Sequence, residues 1–210
     1  GDYDFPKYIE QTDDLGYLIV GSADSYGVQY PDILVIKTDE NGTEEWHKII
    51  GTEEDWESGY NGHETNDGGF IILGSKYSEP WLIKLNSQGD VEWQNIYETN
   101  YNDDWYGFDV ITNSNGSYYI ICQNLIKTDL LGNIIWMNEN IKGGSIELTN
   151  DGNYAILDNY GYGNTGLVKI DYNGQIQWQN QDIIGINFEM NNDNSFAILK
   201  NYDSNILLIK

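Results

Sequence analysis

Short hydrophobic runs separated by turn residues recur along the whole chain. Residues 17–20 (YLIV) and 70–73 (FIIL) are typical of them, and Gly lies on both sides of each run. Such short runs, rich in β-branched and aromatic residues, predict β-strands. Because consecutive residues are apolar, both faces of these strands are expected to be covered. No window has the period of a helix of useful length, so the pattern predicts an all-β chain.

Two sequence elements repeat in phase. The first is a hydrophobic residue followed by Lys-x-[Asp/Asn]-x-x-Gly-x-x-x-Trp, at 36–46, 83–93, 126–136 and 168–178, with the start of a fifth copy at 209–210. The second is an Asn/Asp/Gly turn followed by an apolar strand, at 12–22, 65–75, 113–123, 149–159 and 191–201. The Trp residues that end the first element are 47, 43 and 42 residues apart. This regularity indicates a repeat architecture.

One repeat unit is expected to contain four strands: a weak strand, the apolar strand of the second element, a Leu-Ile-Lys strand and a Trp-bearing strand. Units of this size and strand number are typical of β-propeller blades. The sequence therefore predicts one domain over 1–210, a five-bladed β-propeller of four-stranded antiparallel blades. We place the blades near 1–50, 51–97, 98–140, 141–182 and 183–210. A stacked solenoid is the alternative.

The last blade is incomplete in its own sequence, because its copy of the first element stops at Lys210. An unpaired edge strand invites association with another chain. We therefore expect residues 2–5, or another copy of the protein, to supply the missing strand.

The first element contains a turn. A short polar side chain begins it and Gly takes its fourth position, as a type I turn with a following G1 bulge favours. The first positions are Asp39, Asn86, Asp129 and Asp171, and the glycines are Gly42, Gly89, Gly132 and Gly174. We expect this turn to join the third and fourth strands of each blade as part of the scaffold.

The Trp residues of this element lie four residues after the Gly, at one fixed place on the last strand. They are Trp46, Trp93, Trp136 and Trp178. An indole buries roughly 150–250 Å², which corresponds to about 4–6 kcal/mol before entropy is counted. We expect each to wedge against the neighbouring blade. Four identical ligand-stacking sites are the functional alternative.

The element also carries a repeated lysine, which accounts for half of the lysines in the chain. Its copies are Lys37, Lys84, Lys127, Lys169 and Lys210. In a chain this acidic, we expect them to pair with carboxylates of the same or the adjacent blade. A ring of ammonium groups around an anion is the alternative.

The Asp-x-x-Gly-x-x-x-Trp core resembles the tryptophan-docking motif of PQQ-like β-propellers, with one residue fewer between Asp and Gly. The whole unit, DGGFIILGS followed by WLIKLNSQGDVEW, resembles β-propeller repeats of bacterial and archaeal secreted or cell-surface proteins. The resemblance covers nearly the full chain and implies the fold, but a fold does not fix a function. The quinone enzymes of the broader group have larger, eight-bladed domains, so we expect no such cofactor.

The charge of the chain narrows the range of partners. It has 34 Asp and Glu against 10 Lys and no Arg, for a net charge of −24. Without a basic patch to neutralise phosphates, nucleic acids and anionic membrane surfaces are excluded. Membrane insertion is not expected, since no run approaches 18 apolar residues. An extracellular or cell-surface location is expected, where acidity favours solubility, and a protein or a neutral glycan remains a candidate partner.

Few residues of the sequence are candidates for catalysis or metal binding. His47 and His63 belong to different elements, no Ser or Cys has an obvious base, and Cys122 lies in an apolar run where a buried side chain is expected. We therefore expect no enzymatic activity, with a carboxylate pair of a five-bladed glycosidase as the remaining alternative. Weak Ca²⁺ candidates are Glu54, Asp55, Asp103 and Asp104. These Asp side chains are expected instead to accept hydrogen bonds from turn amides.

Aromatic residues in or beside polar segments are the best indication of a ligand. They are Tyr26, Tyr30, Trp56, Tyr77, Trp81, Trp105, Tyr160 and Tyr162. Sugar recognition needs flat aromatic faces beside carboxylate and amide groups, although blade packing would also use such rings. We expect a non-enzymatic extracellular module for adhesion, recognition or structure. A lectin-like module is the alternative, and a glycosidase is a third hypothesis.

Overall fold

All regular structure in the described part of the protein is β. The computed structural model describes residues 4–24, 30–52, 56–99, 109–113, 116–122, 124–158, 165–183, 185, 187–191, 195–202 and 205–209. Over these ranges there are nineteen strands and no helix. Accordingly, the described residues contain no helix with the length and apolar character needed to cross a membrane.

The strands form five antiparallel sheets, each a meander in chain order. The first contains β1 (Asp4–Gln11), β2 (Tyr17–Ala23), β3 (Asp32–Thr38) and β4 (Glu44–Ile50). The second contains β5 (Glu57–Glu64), β6 (Phe70–Lys76), β7 (Glu79–Leu85) and β8 (Val91–Ile96). The third contains β9 (Asp109–Thr112), β10 (Tyr118–Ile121), β11 (Leu125–Thr128) and β12 (Ile134–Asn138).

The fourth sheet contains β13 (Ser145–Leu148), β14 (Tyr154–Leu157), β15 (Leu167–Ile170) and β16 (Ile176–Asn180). The fifth contains β17 (Asn187–Met190), β18 (Phe196–Tyr202) and β19 (Asn205–Ile209). Over the described residues, the predictions of all-β structure and of four-stranded antiparallel units are confirmed, and the fifth sheet has three strands, fewer than the others, as predicted.

The chain divides into two compact units. Unit 1 comprises Gly1–Asn102, Thr112–Tyr118 and Asp129–Asn133, and unit 2 comprises Asp103–Ile111, Tyr119–Thr128 and Ile134–Lys210. The first two sheets therefore belong to unit 1, and the last two sheets belong to unit 2. That the whole chain forms one domain stays a prediction.

The core of unit 1 lies between the first two sheets. Val20 and Val35 of the first sheet and Ile72 and Ile83 of the second are fully buried in one cluster. Every residue of β6 is buried, as the continuous apolar runs predicted. Fully burying such a side chain contributes roughly 1.5–3 kcal/mol. In unit 2, an equivalent cluster includes Tyr119, and Cys122 is buried as expected.

The predicted turn between the third and fourth strands is present. In the first sheet, Asp39 Oδ1 accepts hydrogen bonds from the amides of Asn41 and Thr43 at 2.9 and 2.8 Å. Gly42 has a φ of 78°, in the left-handed region that Gly adopts without strain. The pairing of β3 with β4 shifts register between Lys37 and Thr38, as a bulge requires.

The expectation that residues 2–5 complete the last sheet is wrong for the residues that the structure describes. Asp4 pairs with Ala23 and Phe5 with Ser22, so they begin the first strand of the first sheet. The reason is that the apolar strand β2 requires a partner along its whole length, and β1 provides it. Residues 2–3 and Lys210 lie outside the described ranges.

Candidate functional site

The repeated Trp residues connect successive sheets within each unit. Trp46 meets Phe70 edge-on at 5.6 Å between ring centroids, Trp93 meets Tyr118 at 5.9 Å, and Trp178 meets Phe196 at 6.0 Å. Each of these partners is the first residue of the second strand in the following sheet. Trp136 contacts Tyr119 of its own sheet.

The glycine of the turn receives the indole of the preceding sheet. A Cβ on Gly89 would come within 2.9 Å of the Trp46 ring. Gly132 and Trp93 have the same relationship at 2.6 Å, and so do Gly174 and Trp136 at 2.6 Å. The turn thus provides both the left-handed backbone and the bare surface on which the next Trp packs.

The repeated lysines pair with carboxylates of their own sheets at the three positions where an ion pair is described. Lys37 Nζ lies 2.7 Å from Asp14 and 3.1 Å from Glu45, and Lys169 Nζ lies 2.6 Å from Asp151. Because Lys37 and then Thr12 donate to it, the pKa of Asp14 falls to about 2. Lys84 has two such partners as well.

Lys127 is the exception among the described copies. Its ammonium donates to the carbonyl of Tyr172 at 2.8 Å and lies 5.0 Å from the Tyr119 ring and 5.7 Å from the Tyr172 ring. Burial lowers the pKa of Lys127. Lys210 lies outside the described residues.

The predicted ligand-binding aromatics have different environments. The rings of Tyr30 and Trp56 meet at 6.4 Å and 41°, and the side chains of Trp56 and Tyr77 are 70% and 60% exposed. Trp81 is only 4% exposed and lies in β7 within the core of unit 1, so the expectation that it presents a face to a ligand is wrong. Tyr26, Trp105, Tyr160 and Tyr162 lie outside the described residues.

A buried charged cluster lies among these aromatics. Glu57, the first residue of β5, is fully buried. Its Oε1 accepts from Lys76 Nζ at 3.0 Å and from Thr52 Oγ1 at 2.9 Å. The carboxyl of Asp32, which is 5% exposed, lies beside that of Glu57. Burial, and then Glu57, raises the pKa of Asp32 to about 6 although Lys76 opposes the shift.

Asp32 and Glu57 share a need for a hydrogen-bond donor. Asp32 Oδ1 and Glu57 Oε2 are buried, and neither has a donor in the part of the chain that the structure describes. Leaving such oxygens unsatisfied costs free energy. A proton on Asp32, which its raised pKa favours, would supply one such donor.

Chain connectivity brings the aromatics to this cluster. Trp56 directly precedes Glu57, and the Glu57 amide donates to the carbonyl of Pro31 at 2.9 Å, which fixes the segment that follows β4 to the one that precedes β3. Lys76 Nζ lies 5.3 Å from the Tyr77 ring. We call this group the aromatic–acidic site: Tyr30, Asp32, Trp56, Glu57, Lys76 and Tyr77.

Reasoning from sequence predicted the rings of this site but missed its charges. One signal was available. Lys76 is not one of the repeated lysines, and it occupies the place that Ala23 has in the first sheet. A lysine at a buried strand end requires a nearby anion, and the sequence does not show that Glu57 is its pairing partner across the hairpin.

A second titratable cluster lies on the first strands of unit 1. His63 Nδ1 pairs with Glu10 Oε2, and the Tyr8 hydroxyl lies 3.4 Å from the same nitrogen. Lys7 Nζ lies 3.9 Å above the Tyr60 ring. His47 is elsewhere and pairs with Glu44 at 2.7 Å.

The Ca²⁺ candidates are untested. Glu54, Asp55, Asp103 and Asp104 lie outside the described residues. Within the described ranges, no group of three or more His, Cys, Asp or Glu side chains is arranged to hold a metal ion.

The fold defines an all-β repeat protein of consecutive antiparallel sheets. No protein-family model matches the sequence, and no curated protein matches it. Its structure is similar to the crystal structure of a protein of unknown function from Bacteroides caccae, with a TM-score of 0.68 and 12% sequence identity over 97% of this chain and 74% of that one. This likeness concerns the fold alone.

Proposed function

We propose that this protein is a non-enzymatic recognition module, secreted or displayed at a cell surface, that binds its ligand at the aromatic–acidic site. We further propose that its five sheets are the blades of a β-propeller of the PQQ-like, tryptophan-docking kind. The sequential four-stranded meanders support the propeller, as do the indoles that join successive sheets.

One observation carries the choice of site. Trp56 exposes 70% of its side chain although it is next to the fully buried Glu57. Isolated exposed apolar residues are ordinary, but here Tyr30 lies against the indole and the exposed Tyr77 adjoins Lys76 of the same cluster. A rigid, buried base with exposed rings around it is pre-organised for binding.

Burial of the carboxyl pair supports a structural role for the two acids. A glycosidase places its two carboxyl groups so that a sugar or a water fits between them. Asp32 is 5% exposed and Glu57 is fully buried, and Glu57 already accepts hydrogen bonds from Lys76 and Thr52. This burial supports a binding role for the rings rather than catalysis by the two acids.

A neutral glycan is the ligand class that the site favours. The exposed indole and the Tyr77 ring offer flat apolar faces to the C–H surface of a sugar. The protein's net charge of −24 disfavours anionic glycans. A protein partner with an apolar, cationic surface is the other candidate, favoured by the same acidity.

An array of immobilised neutral glycans tests the ligand class. We expect the wild-type protein to retain at least one neutral glycan and to leave its reducing ends unchanged after incubation. No retained glycan would contradict the glycan ligand, and release of shorter sugars would contradict the non-enzymatic role.

A further inference from the structure

Unit 1 contains a cavity of about 530 Å³ at the opposite strand ends of the second sheet from the aromatic–acidic site. Trp93, Tyr118, Leu130 and Leu131 form its apolar wall, and Asp67 and Glu92 are its acidic groups. Binding pockets for small ligands commonly have volumes of roughly 300–1,000 Å³ and combine such walls with a few polar groups.

The repeats provide an internal comparison for the two leucines. Leu130 and Leu131 are the middle residues of the third Asp-x-x-Gly turn and are 56% and 57% exposed. The corresponding pairs in the other complete copies are Glu40–Asn41, Ser87–Gln88 and Tyr172–Asn173. The turn itself therefore does not require apolar residues, and only the copy that borders this cavity has two of them.

The leucine turn is held in place by β8 and by the residue that follows it. Asn95 Nδ2 donates to the Leu131 carbonyl at 3.0 Å, and the Tyr97 hydroxyl donates to the Gly132 carbonyl at 2.8 Å. A wall fixed in this way lowers the entropy cost of binding.

The charges at the cavity select a cationic ligand. Lys84 has only three N–H groups, and they donate to Asp67 at 3.1 Å, to the Leu85 carbonyl at 3.0 Å and to Glu92 at 3.2 Å. Lys84 thus has no remaining donor for an anion. The two carboxylates exceed the single ammonium by one negative charge, and their side chains are 62% and 46% exposed.

We propose that this cavity binds a short peptide segment of a partner protein in which a lysine or arginine is flanked by apolar residues. The apolar side chains would contact Leu130 and Leu131, and the cation would pair with Asp67 and Glu92. The two exposed leucines favour an apolar side chain over a sugar, because a leucine offers neither a flat face nor a hydrogen-bond partner to hydroxyl groups. This inference is independent of the aromatic–acidic site.

Titration calorimetry with three blocked pentapeptides, GLKLG, GLELG and GSKSG, tests the proposal. The wild-type protein is expected to bind GLKLG saturably. The other two peptides should bind at least about tenfold more weakly, because each lacks either the cation or the apolar groups. Equal affinity for GLELG, or no saturable binding of GLKLG, would overturn it.

The variant L130S/L131Q supplies the matched test. It gives the third turn the middle residues of the second turn, which fold in this same chain, so the melting temperature should be retained. We expect affinity for GLKLG to fall about tenfold, whereas E40L/N41L, which places two leucines on the first turn, should add no binding. Unchanged affinity of L130S/L131Q for GLKLG would overturn the site. A wild-type dimer in sedimentation that L130S/L131Q abolishes would also overturn it, because a second copy of the chain would then cover the leucines.

Discussion

The indole of Trp46 rests on the backbone of Gly89, and a Cβ at Gly89 would lie 2.9 Å from the ring. Gly42, at the same place in the first turn, has the same φ of 78°, but among the described residues nothing beyond its chain neighbours lies within 4 Å of its Cβ position. Gly42 is therefore required only by the backbone conformation of the turn, whereas Gly89 is required by that conformation and by the packing of the Trp46 indole.

Substituting alanine at each glycine should reveal this difference. We expect G42A to lower the free energy of unfolding by about 1–2 kcal/mol, the usual cost of a left-handed non-glycine residue. G89A should lose roughly 1–3 kcal/mol more, because the methyl group displaces the indole. Urea unfolding measures both. Equal losses would show that Trp46 does not depend on the glycine.

Replacing Trp46 with alanine should destabilise the fold, whereas replacing Trp56 should leave its stability almost unchanged. W46A removes an indole packed against Phe70 and Gly89 and should cost about 3 kcal/mol of unfolding free energy. W56A removes an indole that is 70% exposed, and its effect should lie within about 0.5 kcal/mol. Thermal melting distinguishes them, and a W56A protein as unstable as W46A would assign Trp56 to packing.

The raised pKa of Asp32 predicts a stability change between about pH 4 and 6. The folded carboxyl has a pKa of about 6 against 3.8 for an ordinary Asp. Within this window the folded state holds the extra proton, so stability is greatest below the window, falls as pH rises through it and is level above it.

The variant D32N isolates this contribution, because its amide is neutral at every pH and can donate to Glu57. Relative to D32N, the wild type should lose roughly 1–3 kcal/mol between pH 4 and pH 7. Urea unfolding at pH 4, 5.5 and 7 gives the two profiles. Parallel profiles would mean that Asp32 holds no extra proton when folded.

Asp14 should act in the opposite direction and at lower pH. Its folded pKa of about 2 lies below the ordinary 3.8, so its pairing with Lys37 stabilises the protein above pH 3.8 and is lost as pH falls toward 2. In the wild type, the melting temperature should fall between pH 4 and pH 2. In D14N this fall should be smaller, most clearly at low salt. An acid slope as steep in D14N as in the wild type would contradict this role of the Asp14–Lys37 pair.

The strands and turns could be predicted because they depend on local sequence that the chain repeats. Asp39 and Gly42 form their turn through contacts within five residues. The packing of Trp46 on the next sheet was also predictable, since a large apolar side chain at the same place in every unit must be covered by something that also repeats.

The aromatic–acidic site was only partly predictable because it joins separate segments. Asp32, Thr52, Glu57 and Lys76 meet through tertiary pairing, and none of them belongs to the repeated motifs. Trp81 was misassigned for a local reason. Tyr77 and Ser78 form a two-residue turn with φ values of 54° and 64°, unusual without Gly, so β7 begins at Glu79 and takes Trp81 into the core.

Binding of a neutral glycan by the wild-type protein and by W56A is the most direct test of the proposed function. The titration would use the glycan retained on the array, with Y172A as a control that removes an exposed tyrosine outside the site. We expect saturable wild-type binding, unchanged in Y172A and about tenfold weaker in W56A with the same melting temperature. Wild-type affinity in W56A would contradict the assignment of the ligand to the aromatic–acidic site.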